Sequence, residues 1–332
     1  MTDPRPLRIL AGDIGGTKTR LALFSVRGTA LESLAEERFA SRDHDSLAAI
    51  IRIFRERHKT EPPHAACFGI AGPVDGGRAA ATNLPWRIDA AELARRFRIP
   101  RVDLLNDLEA NAWGIPALSP ADIHELHPGA PGAAGNAAVI AAGTGLGEAG
   151  MYWDGDRLHP FATEGGHTGF APATELEIEL LRFLQRDYDH VSWERVVSGP
   201  GLVAIHRFLT SRSGQPPAAA VARAMEQGDP AAAISAAADD DPVCGQALEL
   251  FVHLYGVEAG NLALKQMALG GLYLGGGIAP KILPRLQRGP FLDAFFAKGR
   301  MRPLLERMPV RVILNDRTAL YGPALYAATR SG

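Results

Sequence analysis

One pattern occurs twice in this chain: an apolar run, a glycine turn that carries a threonine, and a second apolar run. Leu7-Arg8-Ile9-Leu10-Ala11 leads into Asp13-Ile14-Gly15-Gly16-Thr17, and Leu21-Ala22-Leu23-Phe24 leaves it. Ala137 to Ala142 leads into Gly143-Thr144-Gly145-Leu146-Gly147, and Ala149-Gly150-Met151-Tyr152-Trp153 leaves it. Each stretch predicts a buried β-hairpin. A turn without bulky side chains lets backbone N–H groups approach a phosphate closely. Asp13, at the end of its strand, can reach a Mg²⁺ directly or through water. Taken alone, an ordinary hairpin turn would read the same way. The first turn is not a Walker A loop, because G-x-x-x-x-G-K-[ST] is absent. It is not a Rossmann fingerprint either, because a strand rather than a helix follows it.

A third glycine cluster, Gly275-Gly276-Gly277, follows Leu272-Tyr273-Leu274 and precedes Ile278-Ala279-Pro280. It predicts a strand turning into a helix, whose N-terminal N–H groups favour an anion or a flat purine ring. Two phosphate hairpins, one per half, and a late triple-glycine loop resemble the sugar kinase/actin/Hsp70 ATPase superfamily. The resemblance implies an α/β fold of two ribonuclease H-like domains that face each other, with ATP in the cleft.

The 332 residues favour two domains with ample core for each. A net charge of −2 argues against a nucleic-acid partner, which would want a basic surface. The arginines are scattered and read as solvated faces. Cys67 and Cys244 are the only cysteines, so neither a disulfide framework nor a cysteine zinc site is expected. Each is flanked by apolar or small residues and reads as a buried thiol. The N-terminus lacks a signal-peptide core, and no apolar stretch is long enough to span a bilayer. A cytoplasmic protein without a membrane partner is expected.

The pattern predicts a small α/β domain over residues 1–110 and a large one over 111–316. A last helix over 317–332 packs back onto the first. Leu31 to Phe39 reads as a third strand, Leu47 to His58 as a helix, and Ala65 to Ala71 as a parallel strand. Asp89 caps a helix to about Arg98. Val102-Asp103-Leu104-Leu105 is a strand that delivers Asn106 and Asp107 at its C-terminal tip, where open α/β sheets bind ligands. Ser119 to Gly135 reads as a connecting loop, and Gln215 to Asp241 as peripheral helices.

Four clusters carry chemistry. Phosphoryl transfer to an alcohol needs a carboxylate to accept the hydroxyl proton, and Asp107 is placed for it. Taken by itself, it reads first as the N-cap of the helix that follows, through Glu109, Ala110 and Asn111. Glu164 and His167, three apart on a glycine loop, offer an acceptor and a donor/acceptor to neighbouring sugar hydroxyls. Glu194 could join them or lie on a helix surface. In Thr82-Asn83-Leu84-Pro85-Trp86, Asn83 could donate to a hydroxyl, and Trp86 reads as core.

In order along the chain, these stretches closely resemble the bacterial glucokinases that lack a zinc motif. The matching residues are Asp13 to Thr17, Ile70 to Val74, Thr82 to Trp86, Leu105 to Leu108, Gly143 to Gly147, Glu164 to His167, Glu194 to Gly201, and Tyr273 to Ile278. The resemblance implies ATP-dependent phosphorylation of glucose at its 6-hydroxyl, with glucose and MgATP as partners and a homodimer as the assembly. It implies Asp107 as catalytic base. Asn83, Asn106, Asp107, Glu164, His167 and Glu194 are then the sugar ligands. Asp13, Gly15, Gly16, Thr17, Gly143, Thr144 and Gly145 hold phosphates, Gly275, Gly276 and Gly277 meet the adenosine, and Asp13 serves the metal. Lobe closure around bound glucose excludes water.

Two residues depart from the family. Lys18 stands where Asn is expected, and the related ROK kinases more often carry Lys there. Glu148 follows the second phosphate turn, where a small apolar residue is usual. A carboxylate there should repel phosphate unless it points away or pairs with a cation such as Lys18. The ROK cluster C-x-G-x-x-G-C-x-E is missing. Two rival classes are a kinase of the same fold for fructose, mannose or N-acetylmannosamine, and a non-enzymatic sugar-responsive regulator or actin-like assembly protein. An acetamido group needs added room. A repressor needs a helix-turn-helix ahead of the first strand, which only about six residues precede.

Overall fold

The computed structural model describes residues 6–59, 61–81, 84–214 and 216–331. The chain forms two compact units. One holds residues up to Asp122 with His159–Ala162 and Asn315 onward, and the other holds Ile123–Leu158 and Thr163–Leu314.

In the first unit, β1 (Leu7–Ile14), β2 (Lys18–Arg27) and β3 (Ala30–Ala40) form an antiparallel meander. β4 (Ala65–Ile70) then pairs parallel with β1. A small sheet follows, made of β5 (Val74–Asp75), β6 (Arg78–Ala80) and β7 (Arg87–Asp89). β8 (Val102–Asn106) completes the main sheet in the order β3-β2-β1-β4-β8.

Period-two alternation divides β1 between two cores. Leu10 and Ile14 pack with Ile50, Ile51 and Phe54 of the helix Leu47–His58. Ile9 and Ala11 pack with Leu105, Ala110 and the apolar side of the helix Thr318–Thr329. The second face has little room. A Cβ on Gly322 would overlap the Ala110 carbonyl, and one on Gly114 would overlap the Thr318 carbonyl. The glycines let the helices Asp107–Gly114 and Thr318–Thr329 touch backbone to backbone.

The second unit repeats the plan. β9 (Ile123–His127) enters it, and β10 (Ala137–Ala142) and β11 (Leu146–Trp153) form the antiparallel hairpin. β12 (Leu158–Ala162) runs out of this unit's chain into the first. β13 (Gly271–Gly275) pairs parallel with β10, and β14 (Val310–Ile313) parallel with β13. The sheet thus repeats the hairpin-plus-two-parallel-strands order of the first unit. Its face is covered by the helix Pro242–Gln266, which buries Phe251, Leu254, Tyr255, Ala259 and Leu262.

Most elements fall where the sequence puts them, including the helices Ala219–Gln227 and Pro230–Ala236 within the alanine-rich segment. Cys67 and Cys244 are buried free thiols, and Trp86 is buried with its Nε1 donating to the His44 carbonyl at 3.1 Å. The connection 119–135 differs, because β9 lies inside it and pairs antiparallel with β14. It is a sheet-edge strand in which three of five residues, His124, Glu125 and His127, are polar, so its apolar signal is faint. The triple-glycine segment differs too. Gly275 ends β13, hydrogen-bonded turns follow, and a helix begins only at Leu283.

Candidate active site

In the first unit the turn after β1 is tied down from both sides. Gly15 N donates to Lys18 O at 3.0 Å, closing the hairpin. Ser41 N donates to Thr17 O at 3.0 Å, and Ser41 Oγ donates to Gly15 O at 2.7 Å. Ser41 is buried, while Thr17 and Lys18 at the tip are exposed. These bonds commit the Gly15 and Thr17 carbonyls together with the Gly15 N–H, so any backbone contact to an anion at this turn falls to the N–H groups of its other residues. Ser41 gave no sequence signal, because nothing local marks a serine one strand away as a turn support.

Asp13 sits across the hairpin from Arg20. Burial pushes its carboxyl up to about 6; Arg20 opposes the rise and Asp316 adds to it. Arg20 is bound in turn by Asp316, with Nη2 2.8 Å from Oδ2. Among the described residues no group of three or more His, Cys, Asp or Glu could enclose a metal. One half-buried carboxylate near the exposed Thr17 does fit Mg²⁺. That ion takes one or two carboxylates and leaves its other positions to water and phosphate.

At the tip of β8 the structure separates two adjacent residues. Asn106, not Asp107, caps the helix Asp107–Gly114: its Oδ1 accepts from Leu108 N at 2.9 Å and from Glu109 N at 3.4 Å. Its Nδ2 donates to Gly72 O at 3.3 Å. The cap reading of Asp107 is therefore corrected. Asp107 is the first helical residue, half-buried, with Oδ1 accepting from Leu108 N at 3.0 Å. Asn83 lies outside the described residues.

In the second unit the predicted sugar ligands and the second phosphate turn form one structure. Glu194 is in a short 3-10 turn, Trp193–Arg195, rather than on a helix surface. Its Oε2 accepts from Leu146 N at 3.0 Å, the first residue of β11. A Cβ on Gly145 would overlap that Oε2, so glycine is required for the contact. Gly143 N donates to Gly145 O at 2.8 Å, and Gly199 N donates to Gly143 O at 2.8 Å. Ser198 caps the helix Gly199–Ser213 and donates to Glu194 O at 2.7 Å.

The 3-10 turn Gly165–His167 lies on β11: a Cβ on Gly166 would overlap the Leu146 carbonyl. Glu164 and His167 flank it, both exposed, with His167 Nε2 3.8 Å from Glu164 Oε2. His190 Nε2 contacts His167 O at 2.9 Å, a support the sequence did not reveal. Gly143 and Gly277 have nothing within 4 Å of an added Cβ, so no packing inside the protein demands glycine there. Gly276 is different: it adopts φ +78° against the Ala142 carbonyl.

Glu148 points away from the phosphate turn, into the interior beside Glu258, rather than toward a cation at its mouth.

Two α/β units, each a hairpin with a glycine turn on a partly parallel sheet, define the actin-like ATPase fold class. The chain's relatives make the class specific. The sequence model of the glucokinase family matches residues 10–330. A glucokinase of Nostoc punctiforme is 44% identical over 96% of this chain and 98% of its own length. A glucokinase of Yersinia enterocolitica is 35% identical over 97% of both. The crystal structure of a glucokinase from an Antarctic psychrotroph superposes with a TM-score of 0.84 at 31% identity, covering 97% of this chain and 99% of the other. A ROK-family glucokinase from Streptomyces griseus, solved with glucose and AMPPNP, shares the fold at a TM-score of 0.67 and 23% identity, covering 97% and 99%. The chain belongs to the glucokinase family, of the non-ROK type.

Proposed function

We propose that this chain transfers the γ-phosphoryl group of ATP to the 6-hydroxyl of glucose. The observation that carries the reading is the second unit's assembly, in which Gly145 of the phosphate turn, Glu194, and the Glu164–His167 turn are tied together through Leu146. A kinase needs phosphate and acceptor positioned against each other, and one element that joins the candidate contacts for both supports the reading. Its family membership supports the same conclusion.

Asp107 accepts the 6-hydroxyl proton as the oxygen attacks phosphorus. Asn106, Asn83, Glu164, His167 and Glu194 hold the other hydroxyls. Of these, Asn106 has already committed its oxygen to the helix cap, so it serves the sugar through its amide nitrogen. The turns at Asp13–Thr17 and Gly143–Gly145 hold phosphate oxygens through backbone N–H groups, and Gly275–Gly277 meets the adenosine. Asp13 would hold Mg²⁺, which when bound would supply charge neutralisation for the phosphates. The enzyme works in the cytoplasm as a homodimer. Among the described residues no helix is long and apolar enough to cross a membrane.

An NADP-linked assay of hexose 6-phosphate formation tests the substrate. With ADP release as the readout common to all sugars, glucose should give the highest kcat/KM of a panel with mannose, N-acetylmannosamine and fructose. A clearly higher value for any of the others would refute the assignment.

Glu194→Gln isolates one ligand. The amide oxygen can still accept from Leu146 N, so the turn keeps its anchor while the charge toward the sugar is lost. A hydrogen bond to a charged group contributes ~1.5–3 kcal/mol, so glucose KM should rise about ten-fold or more with little change in kcat. An unchanged KM would place Glu194 in a purely structural role.

A further inference from the structure

Glu148 is the departure from the family that the reaction itself does not use. It is 1% exposed, and its carboxyl meets that of Glu258, which is fully buried on the helix Pro242–Gln266. Among the described residues, no N–H or hydroxyl donor reaches Glu148 Oε1. Two carboxyls in contact in the interior cannot both ionise cheaply, so they share one proton. Glu258 is the charged member. Asn261 Nδ2 donates to its Oε2 at 2.8 Å, and Lys265 Nζ lies 3.4 Å from its Oε1. No such donor reaches Glu148 Oε1 among the described residues, and Glu148 carries the shared proton, its hydroxyl donating a hydrogen bond to Glu258.

The same residue underlies the sugar-binding turn. Thr163 Oγ1 donates to Glu148 O at 2.9 Å, and Gly165 N donates to Thr163 Oγ1 at 3.4 Å. A Cβ on Gly165 would overlap Glu148 Oε2 and lie 3.3 Å from the Glu148 Cβ. The turn therefore rests on this carboxyl without a spare atom between them.

We propose that Glu148 is a positioning residue for glucose: its neutral carboxyl, bonded to Glu258, is the floor beneath Glu164-Gly165-Gly166-His167, and its ionisation displaces that turn and weakens sugar binding. The proposal rests on the glucose reading above. Burial and then the charge of Glu258 hold the Glu148 carboxyl up to about 8, with Lys265 opposing. The floor is therefore neutral at neutral pH and charged in mild alkali.

The other groups facing this cluster are accounted for. Tyr255, on the helix of Glu258, donates to Ile140 O at 3.2 Å, and burial keeps its hydroxyl neutral far into alkali. Behind Asn261, Lys298 Nζ donates to Asn261 Oδ1 at 2.7 Å and to Val257 O at 2.9 Å, and burial pushes its amine down. Glu177, on the helix Glu175–Leu184, is paired with His253 at 3.1 Å. The folded state holds the Glu148 proton more tightly than the unfolded chain. Its stabilising contribution is therefore full in acid and is lost as pH climbs from the ordinary glutamate range through about 8.

The test is glucose KM and kcat at saturating MgATP from about pH 6.5 to about 9.5, for wild type, Glu148→Gln and Glu148→Ala. If only the neutral form binds, wild-type KM should rise about ten-fold one pH unit above the transition, because the competent fraction falls to about a tenth. Glu148→Gln, whose amide donates to Glu258 and cannot ionise, should remove that rise. Glu148→Ala, which lacks the floor, should show a raised KM throughout. Calorimetry of glucose binding to wild type in two buffers of different ionisation heat gives a second readout if the variants fold poorly. Near pH 8 it should show uptake of roughly half a proton. A flat wild-type KM, an equal rise in Glu148→Gln, or no proton uptake overturns the proposal while leaving glucose phosphorylation intact. Absence of glucose phosphorylation at every pH removes both.

Discussion

Asp107→Asn should fold like wild type and lose about 10²–10⁴-fold in kcat, the usual scale for removal of a general base. The structure makes this comparison cleaner than the sequence could. Asn106 supplies the helix cap, so the substitution leaves the cap untouched. The introduced amide oxygen can still accept from Leu108 N, as Asp107 Oδ1 does at 3.0 Å. What is lost locally is a negative charge in the first turn of a helix, worth ~0.3–1 kcal/mol. In a chain of this size that moves Tm by about 2–4 °C at most. A melting curve paired with turnover at saturating glucose and MgATP separates the two effects. Near wild-type turnover in the folded variant would remove Asp107 from the mechanism.

Gly145→Ala should have the second-largest effect. The new methyl would occupy the place of Glu194 Oε2 and lie 3.3 Å from its carboxyl carbon. The Glu194 backbone cannot simply recede, because Ser198 Oγ holds its carbonyl at 2.7 Å. The carboxylate has to rotate away and give up the Leu146 N–H. Losing a charged hydrogen bond worth ~1.5–3 kcal/mol predicts a fall of about 10–100-fold in kcat/KM for glucose. Gly143→Ala is the contrast. Nothing lies within 4 Å of its added Cβ, so its melting temperature should hold, and its cost should appear in KM for ATP. Wild-type kinetics in Gly145→Ala would mean that the tie between phosphate turn and sugar ligand does not matter to catalysis.

The two hairpins were legible because each writes three signals in sequence: an apolar run, glycine at the turn, and a second apolar run. The helix Leu47–His58 was legible from its apolar spacing alone. β9 was not, because a sheet-edge strand with His124, Glu125 and His127 buries too little to show a period. The Asn106/Asp107 pair shows a different limit. Both residue types cap helices well, and sequence cannot tell which of two neighbours is the first with helical backbone angles. Glu148 shows a third. Alternation along β11 puts it on the same side as buried Leu146, which already argues that it points inward. Its partner Glu258 lies far along the chain, on a helix whose register against the sheet is set by packing. The Glu164–His167 turn could be recognised, but its dependence on β11 beneath it could not. On the turn's side that contact is made by Gly165 and Gly166, which carry no side-chain signal.

The most direct measurement of the central claim is the identity of the product. Purified protein with glucose, ATP and Mg²⁺ should release ADP and a phosphorylated sugar in equal amounts. Phosphorus NMR should show the new phosphate coupled to the two protons on C6, giving glucose 6-phosphate. ADP without sugar phosphate, or a phosphate on another carbon, would contradict the account.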